Sequence, residues 1–199
     1  MATTAIFAEI LATGLLGMVW LVLAILSITD ITWLKGSSVS QLKEWTGIIT
    51  IFATGICYIF GILIDRIADS LLTPIDNYRL AKTYLPAGLP KISIMKLKVM
   101  HEAPEVATFL AYVRSRLRIT RSASINIPLI SIGLIVFLSI RTSLADMFTI
   151  GSIILGGILL TTLAIFAWFR ISRTYYSRLA QAYNSFVRNK DMNRDSLTL

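Results

Sequence analysis

The sequence predicts an all-α integral membrane bundle of four transmembrane helices, with a small helical cytoplasmic layer and both termini inside. Three observations carry that expectation. Four apolar stretches, residues 6–28, 46–64, 122–140 and 148–169, reach or approach the length of a spanning helix. Such a helix needs roughly 20 apolar residues at about 1.5 Å rise each. The chain is 55% hydrophobic and only 15% charged, with a mean hydropathy of +0.72, where a soluble domain carries about 25% charge. Finally, sixteen of the 19 Lys and Arg residues fall in the loop 65–121 and the tail 170–199. Short loops rich in Lys and Arg stay in the cytoplasm. The connections 29–45 and 141–147 hold only Lys35, Lys43 and Arg141 and should face outward. Four spans use about 80 residues, which leaves one modest cytoplasmic layer in a single domain of residues 1–199.

The first stretch is read as a retained helix. Residues 1–7 carry no Lys or Arg, and the apolar run is longer than the roughly 7–15 residues of a signal-peptide core. The connection 29–45 contains Gly36-Ser37-Ser38, with Trp33 and Trp45 suited to the headgroup zone. Span two continues as a helix past Asp65 to about Leu72, where Pro74 disturbs it. Residues 85–90, Leu-Pro-Ala-Gly-Leu-Pro, are turn chemistry. The run from Lys91 to Met100 fits neither a period of 2 nor one of 3.6, so an edge strand and a basic segment lying on lipid both stay open.

A clearer helix begins at Pro104. Proline suits a first helical position, and Glu102 and Glu105 lie at the positive end of the helix dipole. Val106, Phe109, Leu110, Val113 and Leu117 recur at helical spacing, with Arg114, Arg118 and Arg121 on another face. The helix runs towards span three, which Pro128 can kink. Spans three and four form a tight hairpin. Beyond span four, Ile171, Tyr175, Leu179, Tyr183 and Phe186 form an apolar and aromatic stripe, and the residues after Arg188 turn polar.

Three constellations are candidates for function. Small residues at intervals of four, Ala53, Cys57 and Gly61, lead into Asp65 and Asp69. Ala5, Glu9, Thr13 and Gly17 match them on span one. Such stripes let helices approach closely in lipid, so a packing seam is the plain reading and an ion or proton route lined by Glu9 and Asp65 the functional one. Glu9 lies near the cytoplasmic interface, where an acid costs far less than at mid-bilayer. Its candidate partners are Arg66, Arg118 and Arg121. The second constellation sets Asp65 and Asp69 against Arg114, Arg118 and Arg121, as a charge-paired ladder or as arginines facing anionic headgroups or an acidic partner. The third is the stripe Tyr175, Leu179, Tyr183 and Phe186, either core packing or a surface for a partner protein.

No catalytic pattern is legible. His101 is the sole histidine and Cys57, inside span two, the sole cysteine. There is no zinc spacing, phosphate loop or nucleophile elbow. Neither enzyme activity, cofactor nor metal is expected. The net charge of +8 follows from the positive-inside bias, so nucleic acid is not an expected partner. Membrane lipids, further copies of the chain and a cytoplasmic protein are. In layout the chain resembles the small four-span membrane subunits of bacterial anti-phage defence systems. That resemblance implies a bacterial inner-membrane anchor, sensor or membrane-perturbing effector working with a soluble partner. The alternative is an oligomeric channel or small transporter using Glu9 and Asp65.

Overall fold

Each apolar stretch lies in a long helix of the computed structural model, which describes residues 2–29, 45–76, 78, 90–142 and 146–188. Helix α1 is Ala2–Ile28, α2 is Thr46–Ile75, α3 is Ile92–Glu102, α4 is Pro104–Arg141 and α5 is Met147–Ala182. A π-helical turn, Tyr183–Arg188, closes α5. No strand occurs among the described residues. Four of the helices are long and apolar enough to cross a membrane, and the chain is an all-α membrane bundle. Most of the expected turn at 85–90 and of the connection 29–45, and residues 143–145 of the connection 141–147, fall outside the described residues.

Local chemistry sets the helix ends. Asp146 precedes α5 and takes hydrogen bonds from the side chain and backbone of Thr149, which hold its carboxyl below the ordinary carboxylate range. This is an N-cap arrangement, in which a carboxylate satisfies an otherwise orphaned helix N–H. Ala103 separates α3 from α4 with φ −140° and ψ 73°. The residue before a proline is driven out of the helical region, and Pro104 follows it. Pro74 and Pro128 sit inside α2 and α4, and both helices continue through them. The expected disturbance at Pro74 thus comes at the very end of α2, three residues beyond Leu72.

The run from Lys91 to Met100 resolves as helix α3, not as a strand. Met95 and Val99, four apart, are fully buried, whereas Ile94, Leu97 and Met100 stay exposed. Apolar residues on both the buried and the open face hide the helical period in the sequence.

The chain divides into two compact units. The first comprises Met1–Asp69 and Ile119–Ile165 and holds the apolar spans. Here α1 and α4 run in the same direction. Trp20 contacts Asn126, Leu23 lies 3.4 Å from the Cβ position of Gly133, and Arg141 donates to the carbonyls of Leu26 and Thr29. Contacts that advance together along both helices define a parallel pair, as spans one and three of an alternating topology require. Helices α4 and α5 meet where Gly157 leaves room for Ser131. Only 6% to 22% of each apolar window is buried within the chain. The remaining apolar surface, including Ile51, Phe52 and Leu155, is the kind a bilayer solvates.

The second unit comprises Ser70–Arg118 and Phe166–Leu199. Its core is Met95 and Val99 from α3, Leu110 and Val113 from α4, and Tyr175, Tyr176, Leu179 and Ala182 from α5, with Tyr183 beyond. Each fully buried side chain of this size contributes about 1.5–3 kcal/mol. Those contacts give an eleven-residue helix, too short to persist alone, a stable place.

Candidate functional site

The small-residue seam between α1 and α2 is present, and glycines on both helices set its shape. A Cβ on Gly14 would overlap the carbonyl oxygen of Cys57, and one on Gly61 the carbonyl oxygen of Ile10. Gly17 lies against Phe60 and Ile64. Phe7 stacks on Tyr58 and Trp20 tilts against Phe60. Residues spread from 7 to 20 on α1 thus all meet the short window 57–64 of α2. The pair makes a close glycine contact flanked by aromatic rings. Backbones approach this closely only where no Cβ intervenes. Thr13 and Cys57 are buried at the crossing, while Ala53 is exposed.

One rung of the charge ladder is a direct ion pair. Arg121 donates from Nη1 to Asp69 Oδ1 at 2.5 Å, with the arginine side chain 8% exposed and the aspartate 46%. A short charge-assisted bond of this kind is among the stronger hydrogen bonds available to a side chain. Asp65 and Arg118 are half-buried and engaged with their surroundings, as is Glu9 on α1. Arg66 is exposed. Arg114 is exposed too, and its charge acts on Lys96. Burial first, and Arg114 second, pull the Lys96 amine below its ordinary value of 10.5.

Next to Arg121, α4 carries two polar residues that belong to none of the three sequence constellations. Asn126 is fully buried and accepts a hydrogen bond from Trp20 Nε1 at 3.2 Å. Its Nδ2 has no hydrogen-bond partner, nor does the hydroxyl of Ser122 one turn earlier, among the described residues. An unsatisfied buried polar group costs about 1–3 kcal/mol. A signal is available in the sequence, since Asn126 is the sole carboxamide in any of the four apolar stretches. In the second unit, Asp76 is fully buried and accepts a 3.4 Å hydrogen bond from Trp168 Nε1. Among the described residues no group of three or more His, Cys, Asp and Glu side chains is placed to hold a metal.

The aromatic tail stripe divides. Tyr175, Leu179 and Tyr183 are 7%, 0% and 9% exposed and fill the core of the second unit. As surface for a partner they are corrected, because α3 and α4 of the same chain cover them. Of the four, Phe186 alone remains open, 49% exposed. The reason is local. An α-helix would carry residue 186 to the same side as 175, 179 and 183, but the chain turns π-helical at Tyr183. A π-turn advances fewer degrees per residue and rotates the next side chains out of the stripe. Phe186 thereby joins Phe109, Val106, Ala182, Glu105 and Arg178 around an open groove of about 560 Å³.

Comparison with protein-family models, curated proteins and solved structures returned no match.

Proposed function

We propose that the chain is a non-enzymatic, oligomeric protein of a bacterial inner membrane that anchors or relays for a cytoplasmic protein. The observation that carries this reading is the continuity of α4 and α5. At 38 and 36 residues each is almost twice the roughly 20 residues that cross a bilayer. Both continue without a break into an aromatic-cored helical unit. Helical continuity therefore suits sensing or relay between the bilayer and a soluble protein. In the form implied by the layout, that protein belongs to an anti-phage system and the response is a breach of the inner membrane.

Polar chemistry within the spans supports anchoring over transport. The hydroxyls of Thr54, Ser131 and Thr162 donate to the backbone carbonyls of Thr50, Ile127 and Ile158 in their own helices. Hydroxyls used this way offer little to a passing ion. The second reading, a channel or small transporter, is favoured by the open hydrogen-bonding capacity of Ser122 and Asn126 in α4. A test separates the two. Without its soluble partner, purified protein in liposomes should give no ion flux, and mild-detergent purification should retain that partner. Flux that disappears with Glu9→Gln overturns the anchor and establishes the transporter, because the amide keeps the shape but cannot titrate.

A further inference from the structure

The groove at the end of the second unit is built from the first turns of α4 and the last turns of α5. Val106 and Ala182 line it, with Phe109 and Phe186, 48% and 49% exposed, as its aromatic rims. Its two helices bring one charge each. Glu105 in the first turn of α4 makes no hydrogen bond or ion pair among the described residues. Among the described residues, Arg178 on α5 makes one 3.5 Å hydrogen bond, to Gln181 Oε1. An acid and a base thus line the same apolar groove without pairing with each other.

We propose that this groove is the face through which two copies of the chain associate, Glu105 of each copy meeting Arg178 of the other. The proposal rests on the oligomeric part of the reading above and names its surface. A second copy is the occupant on three physical grounds. Charge balance comes first. An acidic partner would pair Arg178 but set a like charge against Glu105, and a basic partner would do the reverse. A second copy satisfies both at once. Symmetry comes second. In an isologous contact, residue i meets j and j meets i, so a surface bearing one acid and one base that do not pair with each other is self-complementary. Membrane embedding comes third. Copies inserted in one bilayer share an orientation, so a twofold axis between them lies along the membrane normal and brings equal depths of the two chains together. Such an axis permits the same surface of both copies to meet. The π-turn after Ala182 fits the same role. It removes Phe186 from the chain's own core and presents it beside Phe109, where aromatic anchors serve interfaces best.

The test uses two tagged forms of the full chain in one mild detergent, scored by co-purification and light scattering. The wild type should associate with itself. Glu105→Arg alone and Arg178→Glu alone should each weaken self-association about tenfold, since like charges meet at both symmetric contacts and tenfold corresponds to about 1.4 kcal/mol. Mixing the two single variants should restore association to within about threefold of wild type, because every contact in the mixed pair is again opposite in charge. Helix content by circular dichroism checks that each variant is folded. Rescue in the mixture cannot arise from an effect inside one chain. An oligomer indifferent to all these substitutions overturns the groove while leaving the oligomeric reading intact. A monomeric wild type overturns both. A groove that holds a soluble cytoplasmic protein in place of a second copy overturns the self-contact and assigns the surface to that occupant.

Discussion

At the scale of single residues, the helix crossing in the first unit turns on two glycines. Alanine at Gly61 would put its methyl into the Ile10 carbonyl, whereas Gly55 on the same helix has nothing within 4 Å. Gly61→Ala should therefore lower stability by about 1–3 kcal/mol, the usual cost of overpacking, and Gly55→Ala should be close to neutral. Thermal unfolding in detergent checks this; equal midpoints for the two variants would remove the glycine contact as the determinant of the crossing. The Arg121–Asp69 pair makes an asymmetric prediction. Arg121 is nearly buried and Asp69 half in solvent. Asp69→Asn withdraws charge from a buried guanidinium, which is expensive in low dielectric, whereas Arg121→Met leaves a carboxylate that water can still reach. Asp69→Asn should be the more damaging by about 1–2 kcal/mol. If Arg121→Met is as harmful or worse, the buried charge is not what the pair neutralises.

At the scale of elements, α3 is held by its neighbours. Its sequence alternates core, lysine and exposed apolar positions, and Met95 and Val99 dock it on α4 and α5. Lys98 contributes a cation–π contact, 6.0 Å from the Tyr183 ring centre. Lys96 works against this docking. Its amine titrates below 10.5 in the folded chain because burial, and then Arg114, disfavour its charge. Between that lowered value and 10.5 the unfolded state binds more protons, so stability rises with pH across that window. Lys96→Met should stabilise the protein at neutral pH, and the gain should shrink as pH approaches 10.5. Denaturation midpoints of both forms along a pH series measure it; a gain that grows with pH would reverse the assignment. At one end of the first unit, Arg141 donates to carbonyls at the C-terminus of α1. One of the three basic residues on the sparse side is thus accounted for by a helix end, where a cation complements the dipole.

At the scale of the whole molecule, the division of basic residues predicts the topology. Tags at Met1 and Leu199 should report the cytoplasm, and a cysteine introduced at Ser37 should react with a membrane-impermeant reagent from outside. A cysteine at Lys96 should react only after the membrane is opened; labelling of that position from outside would invert the topology. The parallel run of α1 and α4 agrees with alternate crossings, since the first and third spans must traverse in the same sense.

Much of this architecture is legible along the chain. Hydrophobic length marks all four spans, because a bilayer selects helices by apolar run alone. One rung of the charge ladder, Asp69 with Arg121, the small-residue seam and the helix starting at Pro104 are legible as well, since each falls at the helical period. Other features depend on which faces meet. Met95 and Val99 are core while Ile94 and Leu97 are not, a choice made by α4 and α5 rather than by hydrophobicity. Gly14 matters because α2 passes it, and Gly55 does not because nothing does. Tyr175, Leu179 and Tyr183 turn inward, and only a local change of helix type leaves Phe186 outside. Apolar period and charge count are properties of one segment and can be read along the chain. Burial is a property of two segments, and only the tertiary structure decides it.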